Sequence, residues 1–104
     1  MKEGAIMAKQ FNQVVGKQLK TLGQYVPIVD RVHGDNHPEF HEVRKVFDVL
    51  AKKTKDVGNE KPDLNEELTQ LREITDNYTV PDDVCESYEA VYKMLEEVDK
   101  AYQA

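Results

Sequence analysis

All three histidines of the chain fall in RVHGDNHPEFHEV, residues 31–43, as His33, His37 and His41, each four positions after the last. On an unbroken helix that spacing stacks imidazoles on one face, where two of them can share a divalent metal ion with a carboxylate. The nearest carboxylates are Glu39 and Glu42, so the metal reading of this stretch is iron or zinc held by His33 and His37 with Glu39 or Glu42. Such ions usually take at least three protein ligands, and oligomerisation is one way to complete the set.

The residues between the histidines point to a second reading. Gly34, Asp35 and Asn36 are turn formers, and Pro38 disfavours helical backbone at His37, which assigns His33 and His37 to two helices flanking a tight bend. His33, Gly34, His37 and Pro38 then form a structural corner with no bound cofactor. The His33 imidazole donates to the last unpaired carbonyls of the first helix, Gly34 follows it in a left-handed conformation, and His37 opens the second helix. His33 and His37 meet at the end of the bundle. His41 lies on an exposed flank with Arg44 and Asp48.

The elements that must position this stretch are read from apolar spacing. Phe11, Val15, Leu22, Tyr25, Val29 and Val32 fall at steps of three and four, with Gln18 filling the one polar register position, and predict a long amphipathic helix. Gly23 and Pro27 predict a kink or break within it. Phe40, Val43, Phe47, Leu50 and Val57 predict a second helix, interrupted by Thr54 and entered through Asn36 as N-cap and Pro38 in the first turn. DVGNEKPD, residues 56–63, reads as a loop. Asp63 and Glu66 make a capping-box pattern before Leu64, Leu68, Leu71 and Tyr78, with Ile74 and Thr75 at the stripe's edge. Thr79 and Asp82 repeat that pattern before Val84, Tyr88, Val91, Leu95, Val98 and Tyr102. No alternating strand pattern occurs, so the expected fold is all-α, an up-down-up-down four-helix bundle.

A chain of 104 residues, 39% hydrophobic and 33% charged, suits one bundle domain over residues 1–104, with residues 1–10 as an N-terminal extension. A net charge of -6 and a pI near 5.0 leave no basic surface for phosphates, so neither nucleic acid nor an anionic membrane is an expected partner. No segment approaches the ~20 apolar residues of a membrane span, and the start of the chain lacks a signal-peptide apolar run. With one cysteine the chain has no internal disulfide, and a cytoplasmic setting is expected. The first helix is the longest, and Ala5, Ile6 and Phe11 at its start would be exposed apolar residues that self-association covers.

Other chemistry has less support in the residue pattern. Cys85 stands near the start of the fourth helix, whose dipole favours a thiolate while Asp82, Asp83 and Glu86 oppose it, and the expectation is a semi-buried small hydrophobe. Glu66, Glu67, Glu86, Glu89, Glu96 and Glu97 fall mostly off the apolar stripes and read as a solvated face. The five tyrosines suit core or core-edge positions.

VHGDNHPEF at residues 32–40 and LREITDNYTVPDDVCESYEAVYKMLEE at 71–97 resemble the VHGxxHPEL corner and the LRxLTxxYxxPxxAC segment of the di-iron iron-sulfur cluster repair proteins, a hemerythrin-like family. The resemblance implies a bundle holding two irons through histidines and HxxxE pairs, with a role in restoring clusters damaged by oxidative or nitrosative stress. Those ligands are missing here. No histidine precedes His33, no HxxxE occurs, AKKTKDVGNEKP at 51–62 stands in place of the second-helix ligand segment, and DLNEEL at 63–68 carries no histidine. The inward register is Phe, Val, Leu, Tyr and Ile apart from Gln18, Thr54 and Thr75. The expectation is a degenerate, hemerythrin-like bundle without the di-iron centre. Its expected role is non-catalytic, binding a protein partner or itself in a stress-response context, with iron or zinc at the His33/His37 corner as the alternative.

Overall fold

The computed structural model describes the backbone of residues 2–57 and 62–103, and the side chains of 11, 13, 15–57 and 62–103. Its helices are α1 (Lys2–His33), α2 (Glu39–Asp56), α3 (Asn65–Thr75) and α4 (Glu86–Gln103), with no strand among the described residues. α1 packs against α2 and α4, and α2 against α3, in an all-α four-helix bundle with principal extents of 46 × 21 × 21 Å. The long dimension follows from α1, since 32 residues at the helical rise span about 48 Å. Among the described residues no helix is long and apolar enough to cross a membrane.

The core is continuous hydrocarbon and aromatic rings. Phe11, Val15, Leu22, Val26 and Val29 of α1 meet Phe40, Val43, Phe47 and Leu50 of α2, Leu68 and Leu71 of α3, and Tyr88, Val91, Tyr92, Leu95 and Val98 of α4. Leu64, just before α3, is fully buried, and its amide donates to the Tyr102 hydroxyl at 3.1 Å. Phe11 is buried edge-on against Tyr102 instead of being exposed, while Ala5 and Ile6 lie outside the described side chains. Gly58 and Asn59 of the expected loop also lie outside the described residues.

Several local expectations are corrected. The α1 stripe turns from Leu22 to Val26 and Val29, leaving Tyr25 37% and Val32 61% exposed. Steps of 22, 25, 29 and 32 fall further short of 3.6 residues per turn than 22, 26 and 29 do, and so drift off the core that the latter keep. α1 passes through Pro27 without a break. The proline ring meets the carbonyl of Gly23, four residues back, where a glycine backbone can adjust. α2 begins at Glu39 with Pro38 in the cap position and no side-chain cap, so Asn36 is not the N-cap. Asp63 Oδ1 instead accepts from the Asn65 amide at 3.3 Å, an Asx turn one residue outside the expected box. α4 starts only at Glu86, and Thr79 donates to the Asp76 carbonyl rather than capping it.

α3 ends at Thr75, and Tyr78 is not part of it. Asp76, Asn77 and Tyr78 have φ of 51°, 57° and 63°, three successive left-handed residues that turn the chain back toward α4. Such backbone is costly without glycine. The Thr75 hydroxyl, itself donating to the Leu71 carbonyl at 2.6 Å, accepts from the Tyr78 amide at 2.8 Å and holds the turn.

Candidate functional site

At the end of the bundle where α1 gives way to α2, the corner is closed by backbone. The Gly34 amide donates to the Asp30 carbonyl at 2.8 Å, and the Asn36 and His37 amides to the His33 carbonyl at 3.1 and 2.8 Å. His33 ends α1 and His37 stands before α2, so the two belong to different elements as the turn formers require. Two details of the corner differ from expectation. The His33 imidazole does not cap carbonyls, because the turn amides already satisfy them. Gly34 does not adopt a positive φ; it is needed because a Cβ there would lie 2.5 Å from His41 Cε1 and closer still to the Asp30 carbonyl oxygen.

The His33 side chain reaches across to the segment before α4, where its Nε2 lies 3.1 Å from Cys85 Sγ. Cys85 occupies the position before the first residue of α4. Its sulfur accepts from the Tyr88 and Ser87 amides, and these, with His33, lower the thiol from 9.0 to about 7 against the opposing effect of desolvation. The thiol is exposed, not a semi-buried hydrophobe. The sequence reading missed the pair because the two residues are 52 positions apart. The available signal was Cys85 directly ahead of an apolar stripe, where a side-chain acceptor meets free helix amides.

His37 is fixed beside this pair. Its Nδ1 donates to Glu39 Oε1 at 2.8 Å and its Nε2 to Asp83 Oδ1 at 2.9 Å. Only the imidazolium can donate from both nitrogens, and the Glu39 and Asp83 contacts raise its pKa above 6.5 despite desolvation. The His33 and His37 rings each lie 5.5 Å from the buried Tyr88 ring, so both histidines pack on that ring at the bundle's end. Glu42 is not brought in; it is exposed and pairs with Lys45 at 3.5 Å.

His41 is tied to the corner rather than idle on a flank. Its Nδ1 lies 2.5 Å from Oδ1 of Asp30, whose Oδ2 accepts from Arg44 at 3.1 Å. The imidazole approaches off the hydrogen-bonding direction and leaves Oδ1 without an aligned donor.

The two-iron centre implied by the sequence resemblance does not fit the described core, whose inward positions carry hydrocarbon. The buried acids are committed elsewhere. Glu67 accepts from Lys53 through both oxygens at 2.9 Å, which removes it from the expected solvated face. Asp99 accepts from Arg72 Nε and Nη2, each at 2.7 Å, from the Tyr78 hydroxyl at 2.8 Å and from Gln103 at 3.2 Å. Burial opposes ionisation of Asp99, and these donors outweigh it and lower its pKa. A shallow, open cleft of about 640 Å³ lies over this network, far from the thiol, and the strongest polar groups lining it bind one another. At the corner, among the described residues, no three His, Cys, Asp or Glu side chains stand together as ligands for one ion.

Comparison with known proteins finds no matching family model, and neither a curated protein nor a solved structure similar to the chain.

Proposed function

We propose that this chain is a non-catalytic accessory protein that works through the thiol-bearing end of its bundle, with Cys85 as a reversibly modified thiolate in a stress-response context. The observation that carries the reading is the 3.1 Å contact between His33 Nε2 and Cys85 Sγ at an exposed position. A thiol lowered to about 7 is substantially thiolate at neutral pH, and the thiolate is the form that attacks. Attack on a low-molecular-weight disulfide forms the Cys85 mixed disulfide and releases the other half as its thiolate. The chain carries no second cysteine to resolve that bond, so an external thiol must reverse it. The stress context is supported by the resemblance of residues 32–40 and 71–97 to cluster repair proteins.

Intact-mass spectrometry after incubation with oxidised glutathione at neutral pH tests this. One glutathione adduct on Cys85, removed by reduced glutathione and much slower to form in His33→Gln, is expected. Adduct formation no faster than with a free cysteine peptide would contradict the reading.

A zinc-binding reading rests on one observation, that Cys85 and His33 already stand as neighbouring sulfur and nitrogen donors. His37 would have to leave Glu39 and Asp83 to join them, or a second molecule would supply the remaining ligands. Zinc and iron content of untagged protein, compared with Cys85→Ser, distinguishes the two readings.

A further inference from the structure

The α1 flank that the core leaves behind carries Tyr25, Ile28 and Val32, which are 37%, 50% and 61% exposed. Their three-and-four spacing sets them on one strip of the helix. The strip borders α4, because Gln18 on the same flank bonds Glu97, and His33 at its upper end meets Cys85. On the α4 side of this face stand the half-buried Ala90, Met94 and Ala101.

The charges bordering the face separate by helix. Lys17, Lys20 and Arg31 on α1 are exposed and have no carboxylate partner among the described residues. On α4, Glu86 and Glu97 are exposed and have no cationic partner among the described residues, whereas Glu89 and Glu96 are already paired with Lys93 and Lys100. Cations without a carboxylate line one edge, and carboxylates without a cation, Glu97 already accepting from Gln18, line the other.

We infer that the α1–α4 face is the interface of a homodimer, in which a second copy lays its α4 on α1 about a two-fold axis parallel to the bundle. α1 and α4 run antiparallel within a chain, so such an axis brings each α1 antiparallel onto the partner's α4 and joins the two edges of opposite charge. The pairings at matching heights are Lys17 with the partner subunit's Glu97 and Arg31 with the partner subunit's Glu86. Ile28 then faces the partner subunit's Ala90, a bulky side chain over a small one. The arrangement is isologous, so every contact occurs twice and the apolar strip is covered in both copies. It stands independently of the thiol chemistry.

Sedimentation equilibrium from low to high micromolar concentration, on Cys85→Ser protein so that no disulfide can link the chains, tests this. A monomer–dimer equilibrium that weakens with added salt is expected. Ile28→Asp should abolish it while leaving helical circular dichroism intact, since Ile28 is half exposed. Arg31→Glu, which reverses both symmetry-related pairs, should weaken it about a hundredfold and the double variant Arg31→Glu, Glu86→Arg should restore it, as two interfacial charge pairs at about 1.4 kcal/mol each require. A monomer at all concentrations, or a dimer indifferent to both Ile28→Asp and the charge reversal, would overturn the inference.

Discussion

Two polar clusters sit on α4 about 20 Å apart along its axis, and they are built to opposite ends. Asp99 is buried under four donors from Arg72, Tyr78 and Gln103, and nothing in that network is left to react. Cys85 is exposed, held by two amides and one imidazole, and its sulfur stays open to solvent. A closed set of partners fixes structure, whereas a charged form stabilised at the surface is available for chemistry. The same helix thus carries a clamp at one end and a reactive group at the other.

Breaking the clamp should have the largest effect on stability. Asp99→Ala leaves Arg72 and the Tyr78 hydroxyl without their acceptor and should cost about 2–4 kcal/mol in denaturant unfolding, moderated because Arg72 reaches solvent. The same variant should leave the Cys85 thiol unchanged. Because the pKa of Asp99 is lowered in the fold, its contribution is present above the unfolded value of 3.8 and is lost as pH falls through the folded value.

Gly34→Ala comes next, at about 1–3 kcal/mol, since its new methyl group meets the Asp30 carbonyl and His41. Moving His41 by truncation should relieve part of that cost, which a double-mutant cycle would read as coupling.

His37 gives a smaller, pH-dependent effect. Its pKa is raised in the folded state, so its contribution is full below 6.5 and is lost as pH rises through the higher folded value. The thermal midpoint of the wild type should therefore fall over that rise in pH, and His37→Gln should flatten the dependence. His41→Ala should cost the least, up to about 1 kcal/mol, because its ring is half exposed where it meets Asp30.

Much of the bundle was legible from apolar spacing, most cleanly in α2, where Phe40, Val43, Phe47 and Leu50 are all buried as read. The α1 stripe went astray after Leu22 because Tyr25 and Val26 are both apolar and adjacent, and spacing alone does not choose between them. The helix starts were harder still. Thr79 and Asp82 have the composition of a cap but lie in a segment occupied by the recovery from three left-handed residues, which no local pattern announced.

The corner was legible as a bend from Gly34 and Pro38, but what its side chains do was not. Local sequence offered carbonyls for His33, whereas tertiary packing offered Cys85. Asp99, one residue beyond Val98 and four beyond Leu95, could have been flagged as an inward carboxylate in need of a cation. Its partner Arg72 lies on a separate helix and was not marked by spacing.

The central claim is that His33 and the start of α4 make Cys85 a thiolate near neutrality, and its most direct test is titration of the thiolate absorbance near 240 nm in the folded protein. The wild type should titrate with a midpoint of about 7, and His33→Gln should move it upward toward 9.0 while the helical content stays the same. A wild-type midpoint at the ordinary thiol value, or one that His33→Gln leaves in place, would contradict the account.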